Sequence, residues 1–287
     1  EENFSKYRDQ LKMERSLKLT GGGGPGTMNV AIAFLIDCTG SMEEVLKQVK
    51  SQIKEILSGK ESIQKKVQEE FQIDLRFRCA LAYYRDRPSE DTHHNSNSEF
   101  FGAEIFQSNA TDEDSENFPH FTEVKSEDAT VFSSRLENGK YTAKGGGDIA
   151  EDTAWALKKV MQWEDWEKVG TAKFVVVITD APCHGADYQN RDHSGNFQPS
   201  DYDNRGDNTS KTTEHLDEAF RLALENDVVT MFCSCDTNAT KSTVTMMEDR
   251  ARVATQKSLN SKKKQNVELK HFKSTVMFDQ KQSSGPR

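Results

Sequence analysis

The sequence predicts an α/β fold in which a mostly parallel central sheet is flanked by helices on both faces. Apolar runs suited to buried strands alternate with amphipathic helical stretches. The two strongest runs, residues 28–36 and 173–179, are apolar nearly throughout, as strands covered on both faces must be. Each ends abruptly in an aspartate, Asp37 and Asp180, at the carboxyl rim where open α/β sheets place their chemistry.

Each element follows in turn. Residues 1–27 form a charged leader closed by the linker Gly21-Gly22-Gly23-Gly24-Pro25-Gly26, which breaks regular structure. The folded domain is expected over 28–257 and a polar, basic tail over 258–287. After the opening strand, Val45, Val49, Ile53 and Ile56 recur at steps of three and four, predicting a helix from Ser41 toward Ser58, with more helix to about Glu70. Asp74 to Tyr84 reads as a strand. Residues 85–119 are a polar insertion without an apolar period, and Phe121 to Val124 suits a short edge strand. Ser126 and Gly139 bracket a further helix as N-cap and stop. A glycine loop at Gly145-Gly146-Gly147 then opens a helix with Ile149, Thr153, Ala156, Leu157 and Val160 on one face. Beyond strand 173–179, a second polar insertion spans 187–211. A helix over 213–227, a buried strand over 228–235 and a helix over 239–255 follow. Lys262 to Lys264 is read as a solvated basic run, and a strand is placed near residues 267–272.

Composition narrows the function classes. The chain has 287 residues, enough for a core without disulfides, and 47 acidic against 38 basic residues give a net charge of -9, which favours neither nucleic acid nor anionic membrane. Cys38, Cys79, Cys183, Cys233 and Cys235 are odd in number, lack a C-x-x-C pair and are expected as buried, reduced thiols. No segment approaches the roughly 18 apolar residues of a membrane span, and the polar N-terminus lacks the apolar stretch of a signal peptide, so a cytoplasmic protein is expected. Position 1 is Glu, consistent with a piece of something longer.

Two adjacent central strands would deliver Asp37 and Asp180 to one rim. Thr39 and Ser41 stand beside the first, and the loop ending in Asp148 opens a third element. This is an oxygen-only set, which suits a hard cation such as Mg²⁺, with Mn²⁺ or Ca²⁺ as alternatives, better than zinc. Side chains at 37, 39 and 41 can converge in a turn while Cys38 and Gly40 point away, with Gly40 permitting the bend. Asp37 is expected as a surface carboxylate whose removal leaves the sheet folded. Set against this, aspartate, threonine and serine after a strand also serve as a plain helix cap, and Asp148 as an N-cap.

Asp37-Cys38-Thr39-Gly40-Ser41 resembles the Asp-x-Ser/Thr-x-Ser signature of the von Willebrand factor A domain, whose metal-ion-dependent adhesion site tops a Rossmann-like sheet. Residues 175–185, "VVVITDAPCHG", resemble that family's later strand and its second metal aspartate, here Asp180. Gly145 to Asp152, "DAPCHG" and "YYRD" are similar to intracellular members near alpha-type protein kinases and in hemicentin-like proteins. The resemblance implies Mg²⁺ held by Asp37, Thr39, Ser41 and Asp180, with a protein partner's acidic side chain completing the shell. Where many members carry threonine this chain has Gly147-Asp148. A third carboxylate there would disfavour an acidic partner and admit a neutral group or water.

An enzymatic alternative is that Asp37 acts as the nucleophile of an aspartyl-phosphate phosphotransferase, since "DCTGS" also resembles Asp-x-Thr-Gly-Thr. The chain lacks a Walker loop, a G-x-S-x-G elbow and a lysine-containing kinase signature. Any kinase domain therefore lies outside these residues. His184 is expected to be structural, His93, His94 and His120 form no recognisable site, and Trp155, Trp163 and Trp166 are expected to pack a helix rather than bases.

Overall fold

The computed structural model describes residues 27–58, 65, 69, 74–85, 101–103, 120–124, 134–137, 141–144, 150–170, 172–185, 187–188, 209–260 and 271–276. Strand β1 (Thr27–Asp37) leads through a 3-10 turn (Gly40–Met42) into α1 (Glu43–Ser58). Then come β2 (Asp74–Tyr84), β3 (Phe101–Ala103), β4 (Thr122–Val124) and α2 (Thr153–Met161). A 3-10 turn (Glu164–Glu167), β5 (Ala172–Thr179), α3 (Thr209–Glu225), β6 (Val228–Ser234), α4 (Thr237–Asn260) and β7 (Phe272–Val276) complete the described elements.

Among the described residues the sheet has seven strands in the order β3-β2-β1-β5-β6-β7, with β4 also on β2. The pairs β1–β2, β1–β5, β5–β6 and β6–β7 are parallel, while β3 and β4 run antiparallel to β2. The chain leaves β1 toward β2 on one side and is joined by β5 on the other. The carboxyl ends of β1 and β5 therefore form the switch point of the sheet, where a crevice opens between diverging connections.

Successive residues of β1 feed two cores, because strand side chains alternate between faces. Ala31, Ala33 and Leu35 pack with α2, α3 and α4, through Leu157, Val160, Leu216, Phe220, Met247 and Ala251. Val30, Phe34 and Ile36 pack with Val45, Val49 and Ile53 of α1. Both faces are covered, as the apolar runs required. All five cysteines are free and buried.

The differences from expectation have local causes. β3 lies inside the stretch read as a polar insertion; it is three residues long and carries Gly102, where an added Cβ would lie 2.5 Å from the Tyr83 ring. β7 falls at Phe272–Val276 rather than 267–272, so the sheet takes a strand from the stretch assigned to the tail. Phe272 anchors it, packing edge-on against Phe220 with ring centroids 5.8 Å apart. α2 begins at Thr153 rather than in the glycine loop, because the Glu151 amide donates to the Pro182 carbonyl (2.9 Å) as part of a bridge to Cys183. α4 runs five residues past its expected end, and of the helix expected over 126–139 only residues 134–137 are described. Trp163 and Trp166 lie beyond α2 and pack into the core, with the Trp166 indole donating to the Val160 carbonyl (2.8 Å). His120 stacks on Trp163 at 4.3 Å and pairs with buried Asp165. His93, His94 and Lys262 to Lys264 lie outside the described residues. Among the described residues no helix is long and apolar enough to cross a membrane.

Candidate metal centre

Register brings the two aspartate-bearing strand ends together. Ile36 of β1 faces Ile178 of β5, so Asp37 and Thr179 follow side by side at the rim and Asp180 begins the turn beyond. Asp37 Oδ1 accepts from the Thr39 amide (2.9 Å) and the Thr39 hydroxyl (2.7 Å). Its other oxygen, Oδ2, accepts from the Thr179 hydroxyl (2.7 Å). Ser41 Oγ donates to Asp180 Oδ1 (3.0 Å), and Thr39 Oγ1 lies 3.4 Å from Ser41 Oγ. The two aspartates, 143 positions apart in the chain, are thus joined through two hydroxyls. Thr39 caps no helix, since it makes no side-chain capping bond to the turn it precedes. Asp236 shows the contrast: it caps α4, accepting from the amides of Asn238 (2.9 Å) and Ala239 (3.1 Å).

Proton counting sharpens the picture. A hydroxyl has one proton and two lone pairs. With both carboxylates ionised, Thr39 donates to Asp37 and Ser41 to Asp180, and the 3.4 Å contact between the two hydroxyls is then left without a proton of its own.

Burial grades across the site. Asp37, Thr39 and Thr179 are fully buried, Asp180 is half-buried and Ser41 is exposed. Asp37 is therefore no surface carboxylate, contrary to expectation: β2 and β5 flank it on both sides. Burial first, and the neighbouring Asp180 charge second, raise its pKa from 3.8 to about 7 against the pull of the Thr179 and Thr39 bonds. Asp180 is also raised, again chiefly by burial and further by Asp236, while its Ser41 bond opposes the shift. The donors that reach Asp37 among the described residues are hydroxyls and an amide, none cationic. Two carboxylates and two hydroxyls at one rim form an oxygen-only set of the kind that could hold a hard divalent cation. Among the described residues no three His, Cys, Asp or Glu side chains gather to hold a metal.

The same burial speaks against Asp37 as a nucleophile toward phosphorus. An attacking carboxylate needs an accessible oxygen; both oxygens of this one are enclosed and already hydrogen-bonded.

Asp148 and Gly145 to Gly147 lie outside the described residues. The segment just before them, 141–144, is held against the Asp37 turn: the Cys38 carbonyl accepts from the Lys144 amide (2.9 Å) and from Arg85 Nε (3.1 Å). Arg85, buried over the Tyr83 ring at 4.9 Å, also donates to the Thr142 carbonyl (2.9 Å). Arg85 lies in the "YYRD" stretch and Thr179 in "VVVITDAPCHG", but residue type alone assigned neither a role, and only the folded rim shows what each one holds. Among glycines of the described residues, Gly185 adopts a left-handed φ of 102°, whereas Gly40 does not. His184 beside it is buried.

No family model and no curated protein sequence matches the chain. Among solved structures, the pilus adhesin SpaC from Lactobacillus rhamnosus GG is similar at 12% identity and a TM-score of 0.44, over 89% of this chain and 28% of that one. Proximal thread matrix protein 1 from the mussel byssus, in a form with a zinc-occupied MIDAS motif, is similar at 12% identity and a TM-score of 0.42, over 88% of this chain and 45% of that one. A second structure of the mussel protein gives 11% identity and a TM-score of 0.38, covering 81% and 47%. This chain spans less than half the length of each.

Proposed function

We propose that this chain is a metal-dependent protein-interaction module. It holds Mg²⁺ at the β1–β5 rim through Asp37, Thr39, Ser41 and Asp180, with Asp148 as a further contributor and Mn²⁺ or Ca²⁺ as substitutes. The observation that carries this reading is the convergence of Asp37 and Asp180 with the Thr39 and Ser41 hydroxyls at one rim, where the burial of the two aspartates calls for positive charge. A bound dication would supply that charge, and the exposed Ser41 side of the rim is where an oxygen group of a protein partner could reach it. Two carboxylates neutralise the dication, so an acidic partner side chain meets less net repulsion here than it would with Asp148 as a third carboxylate. Ionised Asp148 in the shell would shift preference to a neutral carbonyl. The resemblance of Gly145 to Asp152 and "DAPCHG" to domains near alpha-type kinases extends the reading: the chain would serve as a recruiting rather than a catalytic part.

The test is calorimetric titration of Mg²⁺ into the wild type and into Asp180→Ala, the half-buried ligand whose loss leaves the core intact. Saturable heat from the wild type, abolished in the variant at unchanged circular dichroism, is the expected result. Equal heats from both would rule the site out. Mn²⁺ and Ca²⁺ titrated alongside rank the cations.

A further inference from the structure

Thr179 is the residue before Asp180, and it belongs to β5, yet its hydroxyl serves Asp37 on β1. That hydroxyl is itself oriented. It accepts from the Ala181 amide (3.1 Å) and lies nearest Asp37 Oδ2 at 2.7 Å, with the Ala181 carbonyl at 3.4 Å and the Tyr84 phenol as further neighbours. Its backbone is equally fixed, because the Thr179 carbonyl accepts from the Cys235 amide (2.8 Å) on the next strand. One side chain therefore ties the first carboxylate to the turn that carries the second.

An ionised carboxylate offers about four lone-pair directions. Protein donors take three of them on Asp37: the Thr39 amide, the Thr39 hydroxyl and the Thr179 hydroxyl. We infer that Thr179 is a positioning residue for the proposed metal centre, its hydroxyl locking the Asp37 carboxylate so that a single direction on Oδ2 remains for the cation or for a water bound to it. This inference rests on the metal reading above. Without the Thr179 bond the carboxylate would keep its anchor at Oδ1 only, and Oδ2 would swing. Partners that orient a metal-binding carboxylate typically carry about 10- to 100-fold in metal affinity.

The experiment compares Mg²⁺ affinity by calorimetry in the wild type, Thr179→Val and Thr179→Ser, with unfolding followed in chelator to report stability separately. Val matches the shape of Thr but removes the hydroxyl; Ser keeps the hydroxyl and drops the methyl. The expected result is a loss of about tenfold or more in affinity for Val and rescue to within about threefold of wild type by Ser. A role in packing alone would give the opposite order. Val binding like wild type overturns the inference while leaving the metal site standing, and Ser binding as weakly as Val overturns it too, by moving the effect to the methyl. Should Val not fold, Ser decides: near-native affinity supports the inference and a tenfold loss ends it. An absence of saturable heat in the wild type itself removes the metal reading, and this inference with it.

Discussion

In chelator, the metal-free protein should lose stability as pH rises from mildly acidic to mildly alkaline, and Asp37 should be the cause. Burial raises its pKa in the folded state from 3.8 to about 7. Between those values the folded protein holds a proton that the unfolded chain has released, so the unfolded state gains with every step up in pH and stability falls until pH passes about 7. At about 1.4 kcal/mol per pH unit, the full window is worth roughly 4 kcal/mol, and the part between pH 5.5 and 8 about 2 kcal/mol. Asp180, raised in the same direction, adds to the slope. The assay is urea unfolding at pH 5.5 and 8 for the wild type and Asp37→Asn, a neutral side chain of the same shape. The wild type should lose about 2 kcal/mol relative to the variant across this range, and at pH 8 the variant should be at least as stable. Adding Mg²⁺ at pH 8 should restore the wild type and leave the variant unchanged, because the cation replaces the proton as the compensating charge. If the difference between the two proteins stays flat with pH, or if the wild type gains on the variant as pH rises, Asp37 is not the crowded, proton-hungry group described here.

Two further substitutions probe the support of the rim. Gly185→Ala should destabilise by about 2 kcal/mol or more in urea unfolding, since the φ of 102° is strained for alanine and the new Cβ would lie 2.8 Å from Thr209 Cα; a change below about 0.5 kcal/mol would show that the turn relaxes freely. Arg85→Met removes the donors that hold the Cys38 and Thr142 carbonyls, and should cost about 1 to 3 kcal/mol and weaken Mg²⁺ binding in the same preparation. Unaltered affinity would show that segment 141–144 does not depend on Arg85 for its place beside the metal turn.

What could be read from residues alone follows from how many of them report the same environment. β1, β2, β5 and β6 were each legible to within about a residue, because a strand covered on both faces must be apolar at nearly every position, and seven to eleven positions make a long message. β3 and β7 were not, or were misplaced, because three to five residues at a sheet edge carry too little apolar periodicity, and what holds them is a remote ring: Tyr83 against Gly102, Phe220 against Phe272. At the rim, Asp37, Thr39, Ser41 and Asp180 were picked out by type and spacing, since a turn that bends after an apolar run advertises its polar side chains.

Sequence by itself determined the layered α/β arrangement, the strand ends that carry aspartate and the oxygen chemistry on offer there. Only the tertiary structure decided that Asp37 is buried and that Thr179 reaches across from the neighbouring strand to hold it. Only there, too, do the Thr39 and Ser41 hydroxyls turn away from capping a helix toward the two carboxylates. The physical reason is that residue type reports local preference, whereas desolvation, and the bonds that link one aspartate's strand to the other's turn, depend on neighbours up to 142 positions away that only the folded register brings into contact.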